Sequence, residues 1–246
     1  RRAWYRPEPG TSRMAKDQPI IDKFEGLMDD HPNWGFWKCF FRMRLDGEAW
    51  NHKRVWRVYC KIKLNIRRKA KKRLPGREPT PLDSPAEADH TWSFDFMSDA
   101  LYGGHGFRVL NVIDEGTREA LDIVVGTSIS RGYVVRVMDQ LVAEHAAPRR
   151  IRLDNGPEMT ARIFTKWCKS KEIKLVYIQP GKPTQNALIG RFNRSFRTEI
   201  LDAHLFNTLK QDRELAWAWR QSYNDERPHA ALGNLPPLEF KRRLQA

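Results

Sequence analysis

Apolar positions in the first third of the chain recur at helical spacing. Residues 18–29 and 34–45 each place apolar side chains along one face of a helix, and Asn51 stands where it can cap a third helix that runs to Tyr59. Three short helices, with a tight turn before the basic last one, predict a small all-α helix-turn-helix segment. A helical bundle without a role in DNA binding fits the same spacing.

The pattern changes after residue 90. Short apolar or alternating runs, which are typical of strands, occupy 92–97, 107–113, 120–125, 149–153 and 173–178. Helical patterns occupy 133–144, 157–171, 184–203 and 209–223. Three strands followed by alternating helices and strands predict an α/β fold, in which helices flank a mixed five-stranded sheet.

Charge adds a prediction about the partner. The formal net charge is +14, and a surplus of this size favours a polyanion such as DNA. Residues 53–77 contain no acid, and we predict phosphate contacts from the basic side chains in the second half of this run, Arg67, Arg68, Lys69, Lys71, Lys72 and Arg73. A stretch rich in proline and polar residues follows. We therefore expect a helical segment at 1–64, a basic linker at 65–88 and a second domain at 89–246.

Other compositional features exclude several classes of protein. Three scattered cysteines are too few for a disulfide framework and suit a reducing cytosol. No apolar run has membrane-spanning length and no signal peptide is recognisable, so we expect a cytoplasmic protein without a membrane partner. The chain opens at Arg1 without a methionine, which is compatible with a piece of a longer protein.

Two aspartates are the first candidates for chemistry. Asp95 lies in an apolar strand between Phe94 and Phe96, where a charged carboxylate is costly unless it pairs, binds a metal ion or reaches a sheet edge. Asp154 ends a predicted strand and precedes a turn into a helix. Either aspartate alone is more often a capping or turn residue. Brought together at one end of the sheet, the two carboxylates would suit Mg²⁺.

Four ordered motifs then make a family recognisable. They are WSFDF at 92–96, RLDNGPE at 152–158, QPGKPTQNA at 179–187 and YNDERPH at 223–229. Together they resemble bacterial insertion-sequence transposases of the OrfB type, whose core is similar to that of retroviral integrases. The resemblance runs from about residue 19 to residue 240 and implies a ribonuclease-H-like catalytic core over the second domain.

In that family an Asp-Asp-Glu triad holds two divalent ions, Mg²⁺ or Mn²⁺, for phosphodiester cleavage and strand transfer. The resemblance places Asp95 first and Asp154 second in the triad. Thirty-five residues separate Asp154 from position 190, as the family's spacing requires, but the residue there is glycine. Glu199 falls on the opposite face of the same helix, and Glu158 occupies a separate place beside the site. We therefore hypothesise that the chain is catalytically impaired at Gly190, through either an introduced substitution or natural decay.

The resemblance also implies which surfaces meet DNA. Polar and basic residues cluster near the start of the helix that contains position 190, and we expect DNA contacts from Lys182, Gln185, Asn186, Arg191, Asn193 and Arg194. A second polar cluster contains Asn224, Arg227 and His229, of which Arg227 and His229 are expected to pack or to contact DNA. Base edges are expected to be read from the start of the third helix, by Asn51, His52, Lys53 and Arg54.

The expected partners are double-stranded DNA, both element terminal repeats and target DNA, and further copies of the chain in a homodimer or higher assembly. A structural zinc is not expected, because His31, Cys39, His52 and Cys60 alternate in an order unlike a zinc finger. Two other functions compete. One is a non-catalytic DNA-binding protein or inhibitor on a transposase scaffold, which Gly190 favours. The other is a ribonuclease-H-type nuclease, which would not explain the basic helical segment.

Overall fold

A computed structural model describes residues 11–65, 85, 87–156, 158–179 and 183–245, which fall into two compact units divided between Gly76 and Arg77. The first unit contains helices α1 (Thr11–Asp30), α2 (Phe36–Leu45) and α3 (His52–Lys61). The second unit contains a five-stranded sheet and five helices among the residues described. Most of the predicted linker, with Arg67, Arg68, Lys69, Lys71, Lys72 and Arg73, lies outside these ranges.

The first unit is held together by aromatic and aliphatic side chains from all three helices. Its buried core consists of Ile20, Phe24, Trp34, Phe36, Cys39, Phe40, Met43, Val55, Val58 and Tyr59. The predicted cap of α3 is confirmed, because the Asn51 side chain accepts a hydrogen bond of 2.9 Å from the Lys53 backbone N–H. Helix α1 starts earlier than its apolar pattern predicts. Its Asp17, which is 2% exposed, pairs with Arg57 at 2.9 Å and so anchors this part of α1 on α3.

The second unit has the predicted mixed sheet. Its strands are β1 (Thr91–Ala100), β2 (Gly106–Asp114), β3 (Ala120–Gly126), β4 (Arg150–Leu153) and β5 (Lys174–Tyr177). They lie in the order β3-β2-β1-β4-β5. The first three strands form antiparallel pairs, whereas β4 runs parallel to both β1 and β5. This change of direction places the C-terminal end of β4 beside the middle of β1.

Helices cover both faces of the sheet. Alternate strand residues point to opposite faces. On one face Trp92, Phe94 and Leu110 pack with α4 (Arg131–Glu144) and α5 (Arg162–Ser170). On the other face, strand residues pack with α6 (Ala187–Phe196) and α7 (Leu209–Asp225). A last helix, α8 (Pro237–Gln245), contacts α7 and was not predicted.

Two predicted helices had the wrong bounds. The helix expected over 157–171 begins only at Arg162, because turns come first: the Gly156 carbonyl accepts hydrogen bonds from the N–H groups of Met159 and Thr160. The helix expected over 184–203 is three segments, a 3₁₀ turn at Pro183–Asn186, α6, and a π-helical turn at Arg197–Leu201. Within the described ranges, no helix combines the length and apolar character needed to cross a bilayer.

Candidate active site

The sheet brings the two predicted aspartates side by side. The pairing of β1 with β4 ends at Ser93 and Arg152, and Asp95 and Asp154 each follow two residues later on the same face of the sheet. Neighbouring strands lie about 4.8 Å apart, so the register directs both carboxylates to one place at the end of β4. Both side chains are half-buried.

The two carboxylates interact electrostatically. Burial and the negative charge of Asp154 raise the pKa of Asp95 to about 6, against the opposing effect of hydrogen bonds from the Phe96 N–H and the Asn193 amide. A divalent cation between the two carboxylates would relieve both the desolvation and the repulsion. Hard oxygen donors in this arrangement fit Mg²⁺ or Mn²⁺, although only two carboxylates contribute to the fit.

Asn193 holds Asp95 in place. Its Nδ2 donates to Asp95 Oδ2 at 2.9 Å, and its Oδ1 accepts from Asn111 Nδ2 at 2.8 Å. Asn111 is fully buried and lies directly opposite Asp95 on β2. A chain of two amides thus fixes the carboxylate from α6 and from the neighbouring strand. Asn193 had been expected on the DNA-facing surface; it is instead buried and turned towards the site.

Gly190 lies on the same helix, one turn before Asn193. Residues three apart in an α-helix share a face, so position 190 is directed towards the end of the sheet that carries Asp95. Gly190 is exposed, and a Cβ added to it would meet no atom within 4 Å. A longer side chain therefore has room there. Among the residues that the structure describes, no three Asp, Glu, His or Cys side chains form a potential metal-binding group.

Glu158 lies on the other side of Asp154 and is already paired. Its Oε1 accepts from Arg108 Nη1 at 2.6 Å, and this bond lowers the pKa of Glu158 despite partial burial. The Arg108 guanidinium in turn stacks over the Phe96 ring at 4.1 Å. The role of Arg108 was not predicted from the sequence. The only indication of it was the presence of a basic residue inside an apolar strand.

The Asp154 side chain turns back towards the backbone of Gly156. Asp154 Oδ1 accepts a hydrogen bond of 3.0 Å from the Gly156 N–H. A Cβ at position 156 would lie only 3.0 Å from the same oxygen and 3.6 Å from Oε2 of Glu158. A side chain at position 156 would therefore require the Asp154 carboxylate to shift by a few tenths of an ångström.

Glu199 points away from the aspartates, as its spacing predicts. Its Oε2 accepts from Trp219 Nε1 at 2.8 Å and from Arg227 Nη1 at 2.6 Å, both on the side of α7. Arg227 was expected either to pack within the protein or to contact DNA. It is only 5% exposed and packs against Glu199 rather than facing solvent. Asn224 is also structural, because its amide binds both the N–H and the carbonyl of Ala120.

The remaining residues predicted to bind DNA fall into four groups. Asn51, His52, Lys53, Arg191 and Arg194 are exposed. Two others are engaged within the protein, because Arg54 pairs with Asp17 at 3.3 Å and Gln185 accepts from the Gln179 N–H at 2.8 Å. The Oδ1 atom of Asn186 is buried and has no hydrogen-bond partner among the described residues. Lys182 lies outside the described residues.

Comparisons with known proteins agree with this geometry. Two sequence profiles described as the integrase core domain match residues 85–183 and 171–237. An uncharacterized 31.7 kDa protein of insertion element IS407 from Burkholderia multivorans is 40% identical over 231 residues, covering 94% of this chain and 83% of that protein. An uncharacterized 39.2 kDa protein of insertion element IS476 from Xanthomonas euvesicatoria is 37% identical over 236 residues, covering 96% of this chain and 67% of that protein.

The fold has a counterpart among solved structures. A chain of the simian T-cell lymphotropic virus intasome in complex with PP2A regulatory subunit B56 gamma superposes with a TM-score of 0.58. The two chains are 14% identical, and the match covers 81% of this chain and 70% of that one. The mixed sheet with flanking helices is thus the ribonuclease-H-like fold of integrase cores. With insertion-element relatives at 37–40% identity over nearly its whole length, this chain belongs to the integrase-core transposases of bacterial insertion elements.

Proposed function

We propose that this chain is a transposase subunit that binds insertion-element ends and whose core is built for metal-dependent cleavage and joining of DNA strands. The observation that supports the proposal is the juxtaposition of Asp95 on β1 with Asp154, which directly follows the neighbouring strand β4, with Asn193 bonded to Asp95. The proposed partners are the element's terminal repeats, target DNA and at least one further copy of the chain.

Asp95 and Asp154 would hold the Mg²⁺ or Mn²⁺ ions. When bound, such ions activate the attacking oxygen and stabilise the leaving oxygen of an in-line displacement at phosphorus. The protein contributes orientation. Asn193 orients one oxygen of Asp95, and the Gly156 N–H orients one oxygen of Asp154. The Glu158–Arg108 ion pair flanks the turn that follows Asp154. Arg191 and Arg194, which are exposed on the same helix as Asn193, would bind phosphate through their guanidinium groups.

We further propose that the chemistry is impaired in this chain, because position 190 carries no carboxylate. Two aspartates leave the ions with fewer anionic ligands and a less defined geometry. The same observation favours a second candidate function, a DNA-binding protein on a transposase scaffold that occupies element ends without joining them. The two functions differ in one property, which is whether Asp95 and Asp154 bind metal ions.

Metal binding can be measured by isothermal titration of Mn²⁺ into the whole chain. We expect weak binding that is lost in Asp95→Asn and strengthened in Gly190→Glu. Asp99→Asn is the matched control, since Asp99 lies on the same strand but pairs with Arg197 at 3.1 Å. Equal Mn²⁺ binding by the wild type and Asp95→Asn would contradict a metal role for the aspartate pair.

End binding can be measured separately, in EDTA, with a duplex that carries the element's terminal repeat and a scrambled duplex of equal length. We expect the terminal repeat to bind more tightly and both affinities to fall steeply with salt, by roughly 10³-fold or more between 50 and 200 mM if six or more phosphates are contacted. No preference for the terminal repeat would contradict a role at element ends.

A further inference from the structure

Two tryptophans of the first unit are exposed without an evident structural need. Trp37 on α2 is 57% exposed and Trp56 on α3 is 48% exposed, whereas Trp34 of the same unit is 1% exposed. Large aromatic rings that remain in water while neighbouring rings form the core are typical of contact surfaces. We therefore asked what these two rings enclose.

The two rings frame an aromatic cleft, which we define by its lining residues Phe36, Trp37, His52, Lys53 and Trp56, and whose volume is about 420 Å³. The Phe36 ring is buried and meets both tryptophans edge-on, with centroid distances of 5.1 Å to Trp37 and 4.8 Å to Trp56. The His52 ring lies 6.5 Å from Trp37, at an interplanar angle of 26°. Phe36 is thus the floor of the aromatic cleft, and flat rings from both helices form its walls.

The positive charge near the aromatic cleft indicates which kinds of ligand can bind there. Between residues 36 and 63 the chain has two acids, Asp46 and Glu48, against the basic residues Lys38, Arg42, Arg44, Lys53, Arg54, Arg57, Lys61 and Lys63. Of these basic residues, Arg54 and Arg57 pair with Asp17 of α1. Among the residues that the structure describes, no acid lines the cleft, and Lys53 at its edge is exposed. Asp46 is moreover neutralised by Lys23 at 2.6 Å and Arg42 at 3.0 Å. The surface therefore suits a ligand that combines negative charge with flat aromatic groups.

We propose that the aromatic cleft binds an unpaired nucleobase of DNA. The base would stack on the exposed ring of Trp37 or Trp56, and Lys53 would contact a neighbouring phosphate. Such platforms are a general way to hold single-stranded nucleic acid, because every base has a π-face while a base inside a duplex is covered by its neighbours. An acidic peptide would be attracted by the basic residues but would not stack on the aromatic rings. An apolar helix would pack against the rings but would not interact with the basic residues. The proposal rests on the proposed binding of DNA, but not on catalysis.

The test uses fluorescence anisotropy of the whole chain with three labelled oligonucleotides of equal length: a single strand, the same strand with base-free sites, and the duplex. We expect Trp37→Ala and Trp56→Ala each to weaken single-strand binding by about 10-fold. Trp37→Phe and Trp56→Tyr should retain most of the affinity, because both keep a stacking ring. Trp217→Ala is the matched control, since Trp217 is 62% exposed but lies on α7 of the second unit.

The base-free strand separates stacking from charge. If the cleft stacks a base, the base-free strand binds weakly to the wild type, and the alanine variants do not weaken it further. Equal losses on both strands would overturn the proposal and reassign the tryptophans to contacts with the sugar-phosphate backbone. Unchanged single-strand binding in correctly folded alanine variants would also overturn it. Terminal-repeat duplex binding is measured in parallel, so that failure of DNA binding as a whole is distinguished from failure of the cleft.

Discussion

The side chain of Asn193 shows how a single amide connects α6 to the first aspartate. The carboxylate of Asp95 pairs with a residue 98 positions away, which itself rests on the buried Asn111 amide. Sequence analysis could recognise Asp95 because a carboxylate between two phenylalanines is locally unusual. The sequence did not reveal that Asn193 contacts Asp95, because this contact forms only when α6 packs on β1.

Replacing Asn193 by alanine should raise the pKa of Asp95 above its value of about 6, because the amide hydrogen bond favours the charged carboxylate. The change also leaves the Asn111 amide without this acceptor, at a cost of roughly 1–3 kcal/mol in unfolding free energy. Carboxyl NMR titration measures the pKa directly. Arg194→Ala, at an exposed neighbouring position, is the control, and an unchanged Asp95 pKa in Asn193→Ala would refute the positioning role.

The residue at position 190 should also affect the unfolding free energy of the protein. Glycine is unfavourable inside a helix, so Gly190→Gln should raise the unfolding free energy by about 0.5–1 kcal/mol, with or without Mg²⁺. Gly190→Glu has similar helix propensity but adds a charge near Asp95 and Asp154. Its stability should therefore increase more steeply with Mg²⁺ concentration than that of the glutamine variant, which keeps only the weak site formed by the two aspartates. Chemical denaturation across a Mg²⁺ series measures both, and an identical response of the two variants would place position 190 outside the metal site.

At the level of secondary structure, periodicity identified the five strands and all the helices except α8, but not the interruptions of the helices. The apolar pattern over 184–203 is continuous, yet the backbone changes from a 3₁₀ turn to α6 and then to a π-helical turn. The π-helical turn lies where Arg197 binds Asp99 and Glu199 binds Arg227. These contacts join the π-helical turn to β1 and to the loop that follows α7. Local propensity does not encode them, so the sequence could not predict the break.

Helix α7 carries a buried carboxylate that makes its packing sensitive to pH. Asp212 is fully buried, and neither of its oxygens has a hydrogen-bond partner in the structure. Burial, together with the charge of Asp99, raises its pKa to about 6, although Arg213 opposes the shift. A folded pKa above the unfolded value means that its contribution to stability is present at low pH and is lost as the pH rises through about 6.

Asp212→Asn should therefore stabilise the protein at pH 8, by roughly 1–3 kcal/mol, since the amide resembles the neutral acid and carries no buried charge. At pH 5 the wild-type carboxyl group is largely protonated, and the difference should shrink. Thermal unfolding at the two pH values checks this, with the exposed Asp225→Asn as control. Equal stabilisation at both pH values would mean that Asp212 is not ionised in the folded protein at pH 8.

At the scale of the molecule, composition and motifs predicted most of the architecture. The mixed five-stranded sheet, the helical first unit and the family all agree with the expectations from sequence. The functional surfaces were less predictable, because several residues expected to meet DNA, such as Asn193 and Arg227, are buried within the protein. Polar residues in a family motif can stabilise a site from inside, and only packing distinguishes that role from contact with a ligand.

We propose that this chain has a transposase active site that lacks one carboxylate. Strand joining with Mg²⁺ or Mn²⁺ tests it most directly, using the DNA ends of the element that encodes the chain and comparing the wild type, Gly190→Glu and Gly190→Gln. We predict joining by the glutamate variant and little or none by the other two. Joining by all three proteins, or by none of them while terminal repeats are still bound, would contradict the claim.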